Sequence, residues 1–163
     1  METLYYRMKW GWDVILMTSV TLLLVLGACI ACLSSKNGLV IALVLILSLF
    51  CSLLYMPYGM GCTENGIYVR RVKGRLWIPF EEIQTLSAVN PADAFLLRVM
   101  GSGGFLGYFG WYKSQKLGNF VLYTTQRKRL VLIETARRKY VVGCADPSEF
   151  IALCDRLRQS KPS

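Results

Sequence analysis

VILMTSVTLLLVLGACIACL (Val14–Leu33), SSKN (Ser34–Asn37) and GLVIALVLILSLFCSLLYMPY (Gly38–Tyr58) run consecutively and decide the fold. The first run has 20 residues and the last 21, and neither holds a charge. A helix rises about 1.5 Å per residue, so roughly 20 apolar residues cover the ~30 Å hydrocarbon core of a bilayer. No water is present there to satisfy open backbone, and a helix satisfies its own. Two such helices joined by four residues return to the side they started from. The stretch predicts a transmembrane helical hairpin over 14–58, made of helices 14–33 and 38–58. A short segment, 1–13, precedes it, and a soluble domain, 59–163, follows.

Composition agrees with a membrane protein that carries a soluble part. Hydrophobic residues make up 54% of the chain, and mean hydropathy is +0.40. Residues 60–163 number 104, enough for one compact domain. They hold 16 Lys/Arg against 8 Asp/Glu, so +8 of the formal +9 lies beyond the hairpin. Such a surplus attracts anionic partners: lipid headgroups, nucleic acid or an acidic protein.

Histidine is absent from the sequence. That removes Ser-His-Asp and Cys-His nucleophile systems, imidazole metal sites and the usual pH switch. Of the six cysteines, Cys29, Cys32 and Cys51 fall in the apolar runs, and Cys62, Cys144 and Cys154 lack metal-ligand spacing. Cys29-x-x-Cys32 has the form of a redox or zinc half-site, but inside a membrane helix it reads as small apolar packing. Nothing indicates a disulfide-built domain, a metal or a cofactor.

The flanks set the orientation. Arg7 and Lys9, interleaved with Tyr5, Tyr6, Trp10 and Trp12, suit the headgroup layer ahead of the first helix. Arg70, Arg71, Lys73 and Arg75 follow the second helix, whereas the connecting loop holds only Lys36. The positive-inside rule then places both termini in the cytoplasm, in a multi-pass protein of the cytoplasmic (inner) membrane. Leu26-Gly27-Ala28-Cys29 also has the form of a lipidation signal at Cys29. The apolar run continues past it, however, and a second spanning segment follows almost at once. Neither helix carries an ionisable carboxylate, lysine or arginine, so an anchor is favoured over a pump or transporter.

Beyond Tyr58 the period becomes strand-like. Glu64-Asn65-Gly66 is a turn, and 67–72 and 75–79 form a hairpin about Lys73-Gly74. Ile83–Val89 makes a third strand and Ala94–Met100 a fourth. Asn119–Thr124, Leu130–Thr135 and Lys139–Gly143 complete about seven. Asp146-Pro147, with Glu149 three residues after Asp146, caps a final helix whose stripe is Phe150, Leu153, Cys154 and Leu157. Arg156, Arg158 and Lys161 suit its C-terminus.

Between the fourth and fifth strands lies Gly101-Ser-Gly-Gly-Phe-Leu-Gly-Tyr-Phe-Gly-Trp-Tyr112. It matches neither G-x-x-x-x-G-K-[ST] nor G-x-G-x-x-G, so a nucleotide site is disfavoured. The stretch reads as a long loop. Its aromatics either fold back on the sheet or dock on the bilayer or a partner through Phe105, Leu106, Tyr108, Phe109, Trp111 and Tyr112.

Seven short strands closed by one amphipathic helix resemble a pleckstrin-homology (PH) domain, and the wording resembles the bacterial PH-like domains found beside transmembrane helices. The residues that carry the likeness are Arg98 to Tyr112, Leu117-Gly118, Leu130 to Thr135, Lys139-Tyr140 and Asp146-Pro147 with Phe150, and also Ile78 to Ile83. The resemblance implies a two-sheet, partly open barrel of about seven strands capped by the C-terminal helix, used for binding rather than catalysis. It also implies that Arg71, Lys73 and Arg75 on the first hairpin contact an anionic surface, with Arg137, Arg138 and Lys139 near them. Inositol specificity does not carry over.

The resulting expectation is a non-enzymatic, membrane-anchored binding or scaffolding module facing the cytoplasm. It engages a protein partner or itself, with anionic lipid as an auxiliary contact. An enzyme would have to use Cys62, Cys144 or Glu81/Glu82. No activating base accompanies these, and adjacent glutamates on a strand point to opposite faces. Nucleic acid is disfavoured, because stacking platforms with base-reading polar groups are not evident. A lipid-headgroup-binding module proper is the remaining alternative.

Overall fold

The computed structural model describes residues 4–32, 37–94 and 97–159. Helices α1 (Trp12–Cys32) and α2 (Gly38–Tyr55) form the expected antiparallel pair. Both are long and apolar enough to cross a membrane by length and composition, and only 11% of each apolar window is buried in the protein. The helix α2 stops at Tyr55, ahead of the expected Tyr58. Pro57 disfavours helical backbone at Met56, which is extended (ψ 123°). Leu33 and the loop residues 34–36, including Lys36, lie outside the described residues, as do Phe95, Leu96 and Lys161.

Ten strands follow from the described residues instead of about seven. One sheet has the order β1 (Leu4–Arg7), β2 (Pro57–Thr63), β3 (Gly66–Arg71), β4 (Gly74–Pro79). The other contains β5 (Ile83–Val89), β6 (Leu97–Gly104), β7 (Gly107–Ser114), β8 (Gly118–Thr124), β9 (Leu130–Thr135) and β10 (Lys139–Gly143), in the order β5-β9-β10-β8-β7-β6. A short helix α3 (Pro91–Ala94) occupies the start of the expected fourth strand. Glu81 and Glu82 sit in a 3₁₀ turn, Phe80–Glu82, and not on a strand.

The strand β1 comes from the segment expected to be a membrane flank. It pairs antiparallel with β2, Tyr6 opposite Met60 and Arg7 opposite Gly59. The helical hairpin is thus inserted between two neighbouring strands of the β domain. Antiparallel strands continue into antiparallel helices, so each end of the insertion is tied to the sheet.

The two sheets enclose one core built from Met60, Ile67, Val69, Ile78, Val131, Ile133 and Val142, with Met8 from the N-terminal segment. The helix α4 (Pro147–Gln159) closes it, burying Phe150, Cys154 and Leu157 against β2 and β5. Its cap is as expected: Asp146 Oδ1 accepts from the Ser148 and Glu149 amides at 3.0 and 3.3 Å. The result is an open, two-sheet β domain capped by a C-terminal helix and preceded by two apolar helices.

Pairing in the second sheet is not a simple meander. The strand β10 lies between β9 and β8, antiparallel to the first and parallel to the second (Val141 opposite Leu122). Its outer face carries a second, smaller core of Tyr108, Tyr112, Phe120, Leu122, Leu132 and Val141. Val14 from the first turn of α1 completes that core and is fully buried. The base of α1 is therefore part of the β domain's packing.

Candidate functional site

The Gly-aromatic stretch expected as a loop is a β-hairpin, β6–β7, with a two-residue turn at Phe105-Leu106. Glycine makes this possible at one crossing above all. Gly101 and Gly110 face each other across the ladder with φ of +124° and +125°, and a Cβ on either would stand 2.7 Å from the other's Cα. Strand alternation then sorts the aromatics. Tyr108 and Tyr112 turn to the outer core, and Phe109 is also buried, so none of these three projects into solvent. Trp111 is 39% exposed, and Phe105 and Leu106 are half-buried at the tip.

Instead of projecting freely, the tip is pinned to α1. Leu106, in left-handed backbone at φ 57°, donates its amide to the Thr18 hydroxyl at 3.0 Å. The Tyr108 hydroxyl donates to Asp13 Oδ2 at 2.6 Å and accepts from Arg127 Nε at 2.9 Å. Burial first, and the bond to Asp13 second, push that hydroxyl's pKa up. Gly11 N donates to Thr125 O, and the Thr125 hydroxyl donates to Lys9 O. The clasp runs from 9 to 18 on one side and from 106 to 127 on the other.

What remains open is the edge strand β6. Leu97, Val99 and Met100 are 63%, 62% and 67% exposed, and its outer backbone edge has no strand partner among the described residues. Apolar side chains on an unpaired edge form a template for another chain or need a cover. These three residues were not among the expected contacts. The sequence reads Ala94–Met100 as a strand, and that this strand stands at the edge of its sheet follows only from the pairing order.

The basic turns are placed differently from one another. Val72 and Lys73 form the turn between β3 and β4, one residue earlier than expected, because their amides donate to Met56 O and Leu54 O at the end of α2. Lys73 Nζ lies 5.5 Å from the Tyr55 ring centre. Arg71 stacks over Tyr123 at 5.6 Å and bonds its hydroxyl at 3.3 Å, and Arg75 lies over Tyr68 at 5.7 Å. The turn holding Arg137 and Arg138 precedes β10, at the end of the second sheet opposite to Thr125 and the helices. Arg138 reaches back over Trp111 at 5.4 Å, and Lys139 pairs with Glu134 at 2.7 Å. The expected single cluster is therefore split: parallel pairing of β8 and β10 carries the second turn away from the first.

A scan against protein families matches the bacterial PH domain model over residues 59–158, more than half of the chain. The chain belongs to the bacterial PH domain family. Comparison with the curated proteins and with the solved structures found no match. The matched PH segment begins inside β2, so β1 and both apolar helices lie ahead of it. PH domains generally bind proteins or lipids and are generally not catalytic.

The cysteines considered as candidate nucleophiles lie in the core. In this PH domain Cys62 and Cys144 are buried, and burial pushes the Cys144 thiol up, away from the thiolate. Cys154 donates to Cys62 at 3.0 Å within the core; that bond first, and burial second, push the Cys154 thiol up. Among the described residues no group of three metal-ligating side chains comes together.

Proposed function

We propose that this chain is a non-enzymatic binding or scaffolding module of the PH type, held in the cytoplasmic membrane by α1 and α2 with both termini in the cytoplasm. It engages a protein partner or a second copy through the edge of β6. The exposed apolar row Leu97, Val99 and Met100 on an unpaired strand carries this reading. A strand added there would gain backbone hydrogen bonds and cover the row together.

Anionic lipid is an auxiliary contact. Lys73 beside Tyr55 stands where the second helix leaves the bilayer, with Arg71 and Arg75 next to it. Arg137, Arg138 and Lys139, at the other end of the second sheet, would stand away from that leaflet and face the cytoplasm.

Photo-reactive residues placed at Leu97, Val99 and Trp111 of the full-length protein in cells test the proposal. The expected result is a discrete adduct, with the mass of a partner or of a second copy. Crosslinks confined to the chain itself would sink it.

A further inference from the structure

Cys62 and Cys154 stand 92 residues apart in the chain, and the fold brings their sulfurs to 3.0 Å. Cys62 lies on β2, an inner strand, opposite Leu4 of β1 and Ile67 of β3. Cys154 sits one helical turn beyond Phe150 on the stripe that α4 buries. Both are fully buried. The Cys154 thiol donates to the Cys62 sulfur, and the Cys62 thiol donates to Thr63 O at 3.8 Å. The third core cysteine, Cys144, instead donates to Asp146 O at 3.4 Å.

A disulfide needs sulfurs about 2.05 Å apart on side chains that face each other. Cys62 and Cys154 already meet, so closure needs a shift of about 1 Å and no change of partner. Ordinary packing accounts for one buried cysteine. Two in contact, one on the capping helix and one on the sheet beneath it, have the placement of a cross-link.

We propose that Cys62 and Cys154 form an oxidation site, at which hydrogen peroxide converts the dithiol into a disulfide that staples α4 to β2. One thiol loses its proton, and its sulfur attacks a peroxide oxygen, breaking the O–O bond to give a sulfenic acid and hydroxide. The other sulfur, deprotonated in turn, attacks the sulfenic sulfur and expels a second hydroxide. The sulfurs give two electrons to the peroxide, and the two protons and two hydroxides leave as two waters. The closed core resists the first step, because Cys154 is held protonated by its bond to Cys62 first and by burial second. The helix α4 rests on the sheets through its apolar stripe and not through a strand ladder, so it can lift and admit peroxide while the strands stay paired. In the proposed cytoplasmic setting the pair is reduced at rest. Once formed, the disulfide closes a long loop of the unfolded chain and holds the cap shut.

The test exposes the reduced, full-length protein in detergent micelles to hydrogen peroxide below its urea midpoint. The protein is then unfolded in N-ethylmaleimide without reductant, and its cysteine peptides are mapped by mass spectrometry. The expected product joins the Cys62 and Cys154 peptides, about 2 Da lighter than their sum, with neither cysteine alkylated. The urea midpoint should rise, and dithiothreitol should return it to the reduced value. Cys144→Ala should keep the joined peptide, whereas Cys154→Ala should lose both the joined peptide and the peroxide-dependent rise. Full alkylation of Cys62 and Cys154, linkage of either one to Cys144, or their conversion to sulfinic acid without a bridge would overturn the proposal. So would a bridge that forms only above the midpoint, one that leaves the midpoint unchanged or lower, or a rise that persists in Cys154→Ala.

Discussion

Tyr108 shows how one hydroxyl ties a helix to a sheet. Its bonds to Asp13 and Arg127 join α1 to β7 and to the turn after β8. Tyr108→Phe keeps the ring in the outer core and removes both bonds. Because Asp13 and Arg127 are partly solvated, the expected loss is about 1 kcal/mol, read as a lower unfolding midpoint of the detergent-solubilised protein. Two other tyrosines give a pH signature. Burial first, and the nearby Glu149 carboxylate next, push Tyr6 up to about 12; burial pushes Tyr112 up to about 12. Each is neutral in the folded state at a pH where an unfolded tyrosine has ionised. Their contribution to stability is complete below pH 10 and is lost as pH rises from 10 through 12. Tyrosinate absorbance should therefore show a fraction of the tyrosines titrating late, together with loss of folded structure.

The β6–β7 hairpin depends on backbone approach more than on its side chains. Gly110→Ala puts a methyl against the Met100 and Gly101 backbone at a φ of +125°, which L-residues rarely adopt. The strain is about 1–3 kcal/mol, and the measurable outcome is faster proteolysis within 97–114 relative to the rest of the domain. The helix α4 behaves oppositely, since packing holds it. Phe150 is fully buried and meets Tyr6 of β1 edge to face at 6.1 Å. Phe150→Ala should cost about 3–5 kcal/mol in urea unfolding, a cavity cost that a surface helix would not show.

Insertion of the helical hairpin between β1 and β2 makes the chain one mechanical unit. Val14 fills the outer core, Met8 fills the inner one, and Thr18 holds the hairpin tip. A fragment beginning at Pro57 would hold the whole matched PH segment yet lack β1, Met8 and Val14. It should unfold at lower urea than the same fragment with residues 4–8 joined to Pro57 by a short Gly-Ser turn, because β2 would otherwise present an open edge. Equal midpoints for the two fragments would show that β1 adds nothing to the domain.

Features that depend on neighbouring residues were legible in the sequence. The two apolar helices follow from length and composition, and Ile83–Val89, Leu130–Thr135 and Lys139–Gly143 follow as runs rich in strand-forming residues, each with the bounds seen in the fold. The Asp146 cap and the stripe of α4 follow from spacing. Features that depend on which distant surfaces meet were not legible. Tyr5 and Tyr6 read equally well as interfacial aromatics or as a strand until β2 is there to pair with them. Gly101 to Tyr112 reads as a loop until Gly101 and Gly110 come together, and Tyr108 reads as a docking residue until Asp13 and Arg127 enclose it. Local periodicity records the path of the backbone. The choice of strand partner, and with it the burial of each aromatic, is made by contacts between residues far apart in the chain.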